Sequence, residues 1–244
     1  RCSFDCPYCE VFPFAANAVF SSALMEEELR AVIAGAQERQ IPVRDICFSG
    51  NGEPSLSGDF PEALQRAAAI RDAMAPGAKL VLITNGTGLL RPAIFELLRD
   101  AATDPLSLHI WLKLDAGTPE WYHQMSRSAV SFEELSAALK AFAARAPLTI
   151  QTMLCAIDGA APPPEEARAW EALLVELAAL APAGGSTGIR TVHLYGKARP
   201  APEDPKAEPL LAAYLEERAA SLRAALSEAL AGSAAAVPSV EVYP

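Results

Sequence analysis

No apolar run in this sequence is long enough to span a bilayer, although 51% of the residues are hydrophobic. The composition therefore predicts a protein that lives in water, with no membrane partner. Basic residues are scarce: 20 Lys and Arg stand against 30 Asp and Glu, for a net charge of −10. Nucleic-acid binders draw much of their affinity from phosphate contacts, so this balance speaks against an RNA or DNA partner, a local basic patch aside. Histidine is rarer still, with 3 in the chain, and the first of them is His109. No imidazole stands near the amino terminus to complete a metal site there. No internal repeat is present, and no charged leader with an apolar stretch opens the chain, so no secretory signal is read. The 5 cysteines are expected as reduced thiols and the protein as cytoplasmic.

Three of those cysteines are gathered at the start. Cys2, Cys6 and Cys9 stand at C-x3-C-x2-C spacing, with Tyr8 before the last. A four-iron cubane takes four thiolates, so three on one short loop leave one iron with an open position. Open positions mark chemistry as well as structure. Spacing alone leaves two other readings open: a zinc site, which more often shows C-x2-C pairs with a fourth ligand close by, and a disulfide-stapled loop.

Along the chain, strand-like apolar runs alternate with helical patterns, the order of parallel β/α units in one α/β domain. Helices are predicted over 23–40, 60–73, 89–100, 131–145 and 164–180, and strands over 43–48, 80–84, 106–114, 148–154 and 190–195. Glu26, Glu27 and Glu28 are expected in the first turn of the first helix, complementing its dipole. Ser131 and Glu134 form a capping-box pattern. Residues 206–231, rich in Ala, Leu and Glu, read as one or two amphipathic helices, and 240–243 as a short added strand. Pro and Gly clusters at 161–164, 182–185 and 198–205 read as loops. A strand ahead of the cysteine loop, outside the sequence, would bring the count to six.

Alternate residues of a strand face opposite sides. Ile110, Leu112 and Leu114 make an apolar face, and His109, Trp111, Lys113 and Asp115 a polar one. Lys113 and Asp115 fall at the C-terminal end of their strand, where barrels place active sites, and are the catalytic candidates. The alternative is an ion pair that only satisfies itself. Thr149, Gln151 and Met153, and then Thr191, His193 and Tyr195, repeat the polar face; Gln151 and Tyr195 join the cofactor-binding candidates. Gly50-Asn51-Gly52-Glu53-Pro54 follows a strand directly, where glycine lets backbone come close to a ligand. Thr84 and Asn85 end another strand, as site residues or as an ordinary turn. Cys47 reads as a buried small hydrophobe and Cys155 as a spectator.

The opening RCSFDCPYCE resembles the signature of the radical S-adenosylmethionine (SAM) superfamily, and SGNGEPSL at 49–56, LITNG at 82–86, WLKLDA at 111–116 and LYGKARP at 194–200 follow in that superfamily's order. Its closest form resembles the iron–sulfur oxidoreductase group related to wyosine-type tRNA-modifying enzymes. The resemblance implies that Cys2, Cys6 and Cys9 ligate a [4Fe–4S] cluster whose open iron binds the amino and carboxylate groups of SAM. It implies reductive cleavage to a 5′-deoxyadenosyl radical, hydrogen abstraction from an unidentified substrate, and a one-electron reductant such as flavodoxin or ferredoxin. SAM contacts are implied for Gly50, Asn51, Gly52 and Glu53, the Gly-Asn-Gly order being a variant of the superfamily's glycine pair. SAM or substrate contacts are implied for Thr84 and Asn85.

The implied fold is a partial (β/α)6 TIM-like barrel, expected over 1–200, with a C-terminal helical extension over 201–244 packed on it. A wyosine-type tRNA-modifying enzyme should show a basic face or a second cysteine cluster, and these residues supply neither. A non-catalytic metal- or cluster-binding protein would need no SAM pocket, and the four downstream motifs stand against it.

Overall fold

The computed structural model describes residues 2–11, 20–103, 106–180, 187–233 and 235–244. Arg1 of the opening signature and the loop expected at 182–185 lie outside them. Parallel strands line up as β1 (Asp45–Phe48), β2 (Lys79–Thr84), β3 (Leu108–Lys113), β4 (Pro147–Ile157), β5 (Gly188–Gly196) and, beyond β5, β7 (Ser239–Tyr243). A shorter strand, β6 (Ala207–Pro209), pairs antiparallel with the end of β4. Parallel neighbours need a crossover, and helices supply it. These are α2 (Phe60–Met74), α3 (Pro92–Thr103), α4 (Pro119–Ser126) with α5 (Phe132–Ala143), α6 (Pro164–Ala179) and α7 (Ala212–Ala229), with α1 (Ser22–Glu38) ahead of β1. The result is the parallel α/β sheet of a TIM-like partial barrel.

Strand alternation decides which face carries stability. Leu80, Leu82, Ile110, Leu112, Leu148, Ile150, Val192 and Leu194 pack with Leu64, Leu98, Leu139, Leu174 and Leu222 of the helices in one buried cluster. Each such side chain contributes about 1.5–3 kcal/mol on burial, which leaves the opposite face free for polar groups. Register aligns that opposite face in rows. Ile83, Trp111, Thr149, Thr191 and Ser239 form one row, and Lys113, Gln151, His193 and Glu241 the next. Met153, Tyr195 and Tyr243 follow toward the C-terminal ends.

Several expectations change. α1 begins at Ser22, with the Ser21 Oγ accepting from the Leu24 N–H, so Glu26 to Glu28 lie beyond the first turn. Glu26 pairs with Arg30 and with Arg66 of α2 instead, tying the two helices together. The predicted 206–231 helix opens as β6, because Pro205 and Pro209 interrupt a helical backbone and Ala207–Pro209 meets Cys155–Ile157 of β4. Cys47 is exposed, not buried. Among the described residues β1 is the outermost strand, and while Ile46 faces the helices, Cys47 takes the other side. Helix α4 has no counterpart in the sequence reading.

Candidate active site

The cysteine loop is tied to the C-terminal ends of β2 and β3. On the β2 side the Asn85 Nδ2 donates to Ser3 Oγ at 3.0 Å and reaches Cys2 Sγ at 3.6 Å, while Ser3 Oγ lies 2.6 Å from Thr87 Oγ1. On the β3 side the Tyr8 hydroxyl donates to Asp115 Oδ2 at 2.5 Å. Between these ties the Asp5 N–H donates to the Ser126 carbonyl at the end of α4 (2.7 Å). Beneath the loop, Phe4 and Tyr8 pack on Trp121, Tyr122 and Met125 of α4 and on Leu135, Cys155 and Ile157. The unforeseen helix is thus the apolar bed of the loop. Its start was encoded in Thr118-Pro119-Glu120: a capping hydroxyl that accepts from the Trp121 N–H, a proline at the first helical position and an acidic residue in the first turn.

All three loop thiols are free, Cys2 and Cys9 exposed and Cys6 half-buried, which leaves no disulfide staple. A turn closes the loop, the Cys9 N–H donating to the Cys6 carbonyl (3.0 Å). Burial raises the Cys2 thiol and Cys9 adds to it; burial pushes Cys6 up to about 12, and Cys2 adds to that. The sulfurs therefore share one electrostatic neighbourhood. Among the described residues no three His, Cys, Asp or Glu side chains crowd one point closely enough for a single metal ion. A four-iron cubane asks for something wider, three thiolates each on its own iron, and three free cysteines on one loop fit that donor set.

Asp115 is the hub on the β3 side. It accepts from the Tyr8 hydroxyl and from the Met153 N–H (2.8 Å), and the Lys113 Nζ lies 3.2 Å away; their side chains are 7% and 16% exposed. Lys113 also hydrogen-bonds the Tyr195 hydroxyl and sits over the rings of Tyr8 and Tyr195, 5.1 and 5.0 Å from their centroids. Burial pulls the Lys113 ammonium down, but Asp115 and Tyr195 outweigh it and hold the lysine charged. Burial, reinforced by Asp115, keeps the Tyr8 phenol protonated and able to donate.

The glycine turn is organised by Glu53, 5% exposed. Its Oε1 accepts from the Ser55 N–H (3.1 Å), the Ser55 hydroxyl (2.5 Å) and the Thr84 hydroxyl (2.7 Å), and its Oε2 from the Asn85 N–H (2.7 Å). The carboxylate therefore holds the turn against the end of β2, leaving the Gly50–Gly52 backbone as the part that can meet a ligand. Gly52 has φ +148, a region open to glycine and strained for other residues. Gln151 stands between Lys113 and His193 in one row. Farther along, His193 lies edge-on between Trp111 and Tyr243, at 5.0 and 5.5 Å, and burial lowers its imidazole, leaving it neutral at pH 7. This face of the sheet thus carries the cysteine loop at one end, and its rows of polar and aromatic side chains make the floor beside it. Ser3, Thr87 and the α4 bed were missed from sequence; Ser3 and Thr87 lie 84 residues apart and carry no local signal.

Residues 1–157 match the family model of the Radical SAM superfamily. No curated protein matches the chain. Among solved structures, a radical SAM methyltransferase from Sphaerobacter thermophilus is 17% identical with a TM-score of 0.67, the match covering 99% of this chain and 63% of that one. Streptococcus suis SuiB bound to S-adenosylmethionine is 13% identical with a TM-score of 0.64, over 100% of this chain and 48% of that one. SuiB bound to its precursor peptide SuiA gives 11% and 0.62, over 100% and 46%. The chain spans less than two thirds of each of these structures, and at such identities the likeness is one of fold. Neither comparison points to the wyosine-related group.

Proposed function

Because the chain belongs to the radical SAM superfamily, whose members are enzymes that use a [4Fe–4S] cluster and SAM, we propose that it is itself such an enzyme, with Cys2, Cys6 and Cys9 holding the cluster. Those groups supply one-electron chemistry when bound: reductive cleavage of SAM to a 5′-deoxyadenosyl radical, with flavodoxin or ferredoxin as the class of reductant, and hydrogen abstraction from a substrate. The chain's own residues position and shield. Asn85 and Asp115 pin the two sides of the cysteine loop to adjacent strand ends. Glu53 fixes the glycine turn so that the backbone of Gly50, Asn51 and Gly52 meets the charged end of SAM. Thr84 braces that turn through Glu53, and Lys113, itself hydrogen-bonded to Tyr195, keeps Asp115 oriented. Gln151 and Tyr195 bound the space for SAM, while Trp111, His193 and Tyr243 offer stacking and polar contacts to a substrate along the floor.

The observation that carries this reading is three free thiols on one loop, fastened from both sides to strand ends beside a glycine turn. Anaerobically reconstituted protein should bind about four irons and give a cluster EPR signal that changes on adding SAM. With dithionite it should form 5′-deoxyadenosine. A Cys6→Ala variant that kept the SAM-responsive signal would sink the assignment.

A further inference from the structure

Asn85 ends β2 in a buried position, 5% exposed, with both ends of its side chain committed. Its Oδ1 accepts from the Thr87 N–H (3.0 Å) and hydroxyl (2.7 Å). A backbone N–H can only donate, so the amide atom facing Thr87 has to be the oxygen, and that fixes the orientation of the group. Nδ2 is then turned to the cysteine loop, where it reaches Cys2 Sγ at 3.6 Å and Ser3 Oγ at 3.0 Å. From behind, Glu53 holds the Asn85 N–H. The side-chain amide is held at both ends, the backbone behind it is fixed by Glu53, and its donor is aimed at a sulfur.

From this geometry we infer that Asn85 is a positioning residue that donates a hydrogen bond to the Cys2 thiolate and so raises the reduction potential of the cluster. The inference rests on the radical SAM reading and deepens it, since the sequence reading gave Asn85 only a SAM or substrate contact. A thiolate ligand carries more negative charge when its cluster is reduced, so a donor to that sulfur stabilises the reduced form more than the oxidised one. Burial of Asn85 strengthens the effect by holding the donor in a fixed place, although Cys2 itself is exposed. The Phe4 N–H, 3.4 Å from the same Sγ, adds a second donor from the main chain. Asn85 is therefore the side-chain handle on this sulfur.

Two variants separate tuning from folding. Asn85→Leu removes the donor at similar volume. Asn85→Asp keeps an oxygen toward Thr87 and turns a negative oxygen to the sulfur. Each is reconstituted anaerobically beside the wild type, its iron counted, and its midpoint read by EPR during a redox titration. At fixed poise the ratio of reduced to oxidised cluster should fall several-fold in Asn85→Leu and about tenfold or more in Asn85→Asp, tenfold being about 59 mV for a one-electron couple. Ser3→Ala, which leaves the donor in place, should keep the ratio within about twofold. If Asn85→Asp does not take up iron, Asn85→Leu decides alone. Unchanged midpoints in the loaded variants, even with a lowered melting temperature, would overturn the inference and leave Asn85 a residue of the fold. Wild-type protein that takes up no iron would instead overturn the radical SAM reading beneath it.

Discussion

At Asp115 one carboxylate gathers donors from three elements: the Tyr8 hydroxyl, the Met153 N–H and the Lys113 ammonium. Asp115→Asn keeps the shape but sets an amide N–H against one of them and leaves Lys113 short of its counter-charge. We expect 5′-deoxyadenosine formation to fall about tenfold or more, the scale of losing one charge-assisted contact. Stability should fall as well, toward the roughly 3–5 kcal/mol seen when a buried pair is broken from one side. Product chromatography and thermal melting on the same preparations measure both; near-normal product with a strongly lowered melting temperature would mean the pair serves the fold alone. Gly52→Val tests the other wall. A β-branched side chain at φ +148 is strained, so SAM affinity by calorimetry should drop about tenfold or more at unchanged iron content. At this scale the sequence announced which polar groups gather, because cysteine spacing and strand alternation are local. It could not announce where they point. A glutamate after a glycine turn looks the same whether it faces a ligand or, as Glu53 does, its own neighbours.

Among the elements, the α5 terminus was readable because a capping box is a four-residue message. Ser131 Oγ accepts from the Glu134 N–H and the Glu134 carboxylate accepts from Ser131 in return. Ser131→Ala should cost about 1 kcal/mol in a urea titration, without touching iron content. Less readable was the contact between the β3–α4 connection and α6. A Cβ on Gly117 would run into the backbone of Ala169 and Trp170, while Glu166 of the same helix accepts from the Gly117 N–H and the Thr118 hydroxyl, both at 2.5 Å. Gly117→Ala should therefore force α6 outward and destabilise by about 1–3 kcal/mol, read from the denaturation midpoint. Short α4 escaped the periodicity reading because eight residues give barely two turns of pattern, and β6 escaped because its strand character comes from pairing with β4 and not from composition.

For the molecule as a whole, the alternation of strand and helix patterns was enough to order β1 through β5, since each apolar run is bounded by turn residues and followed by a helix. Register was not, because it is fixed only when rows such as Lys113, Gln151 and His193 meet across strands. Distant ties were equally silent. Arg127, at the end of α4, bonds Glu203 through both oxygens at 2.6 and 2.7 Å and reaches Asp5 of the cysteine loop at 3.5 Å. The guanidinium holds the Glu203 carboxyl below its usual range. A lowered carboxyl adds stability above its unfolded pKa and loses it as pH falls through the folded one. Lowering pH from about 5 toward 3 should thus cost the wild type more than Glu203→Gln. With Glu203 43% exposed, the difference in denaturation free energy should be about 0.2–1 kcal/mol.

Among the described residues neither β1 nor β7 has a strand on its outer side. The polar row that starts at Lys113 therefore runs through Gln151 and His193 to Glu241 at a margin of the described sheet, where Tyr243 stands half out in solvent.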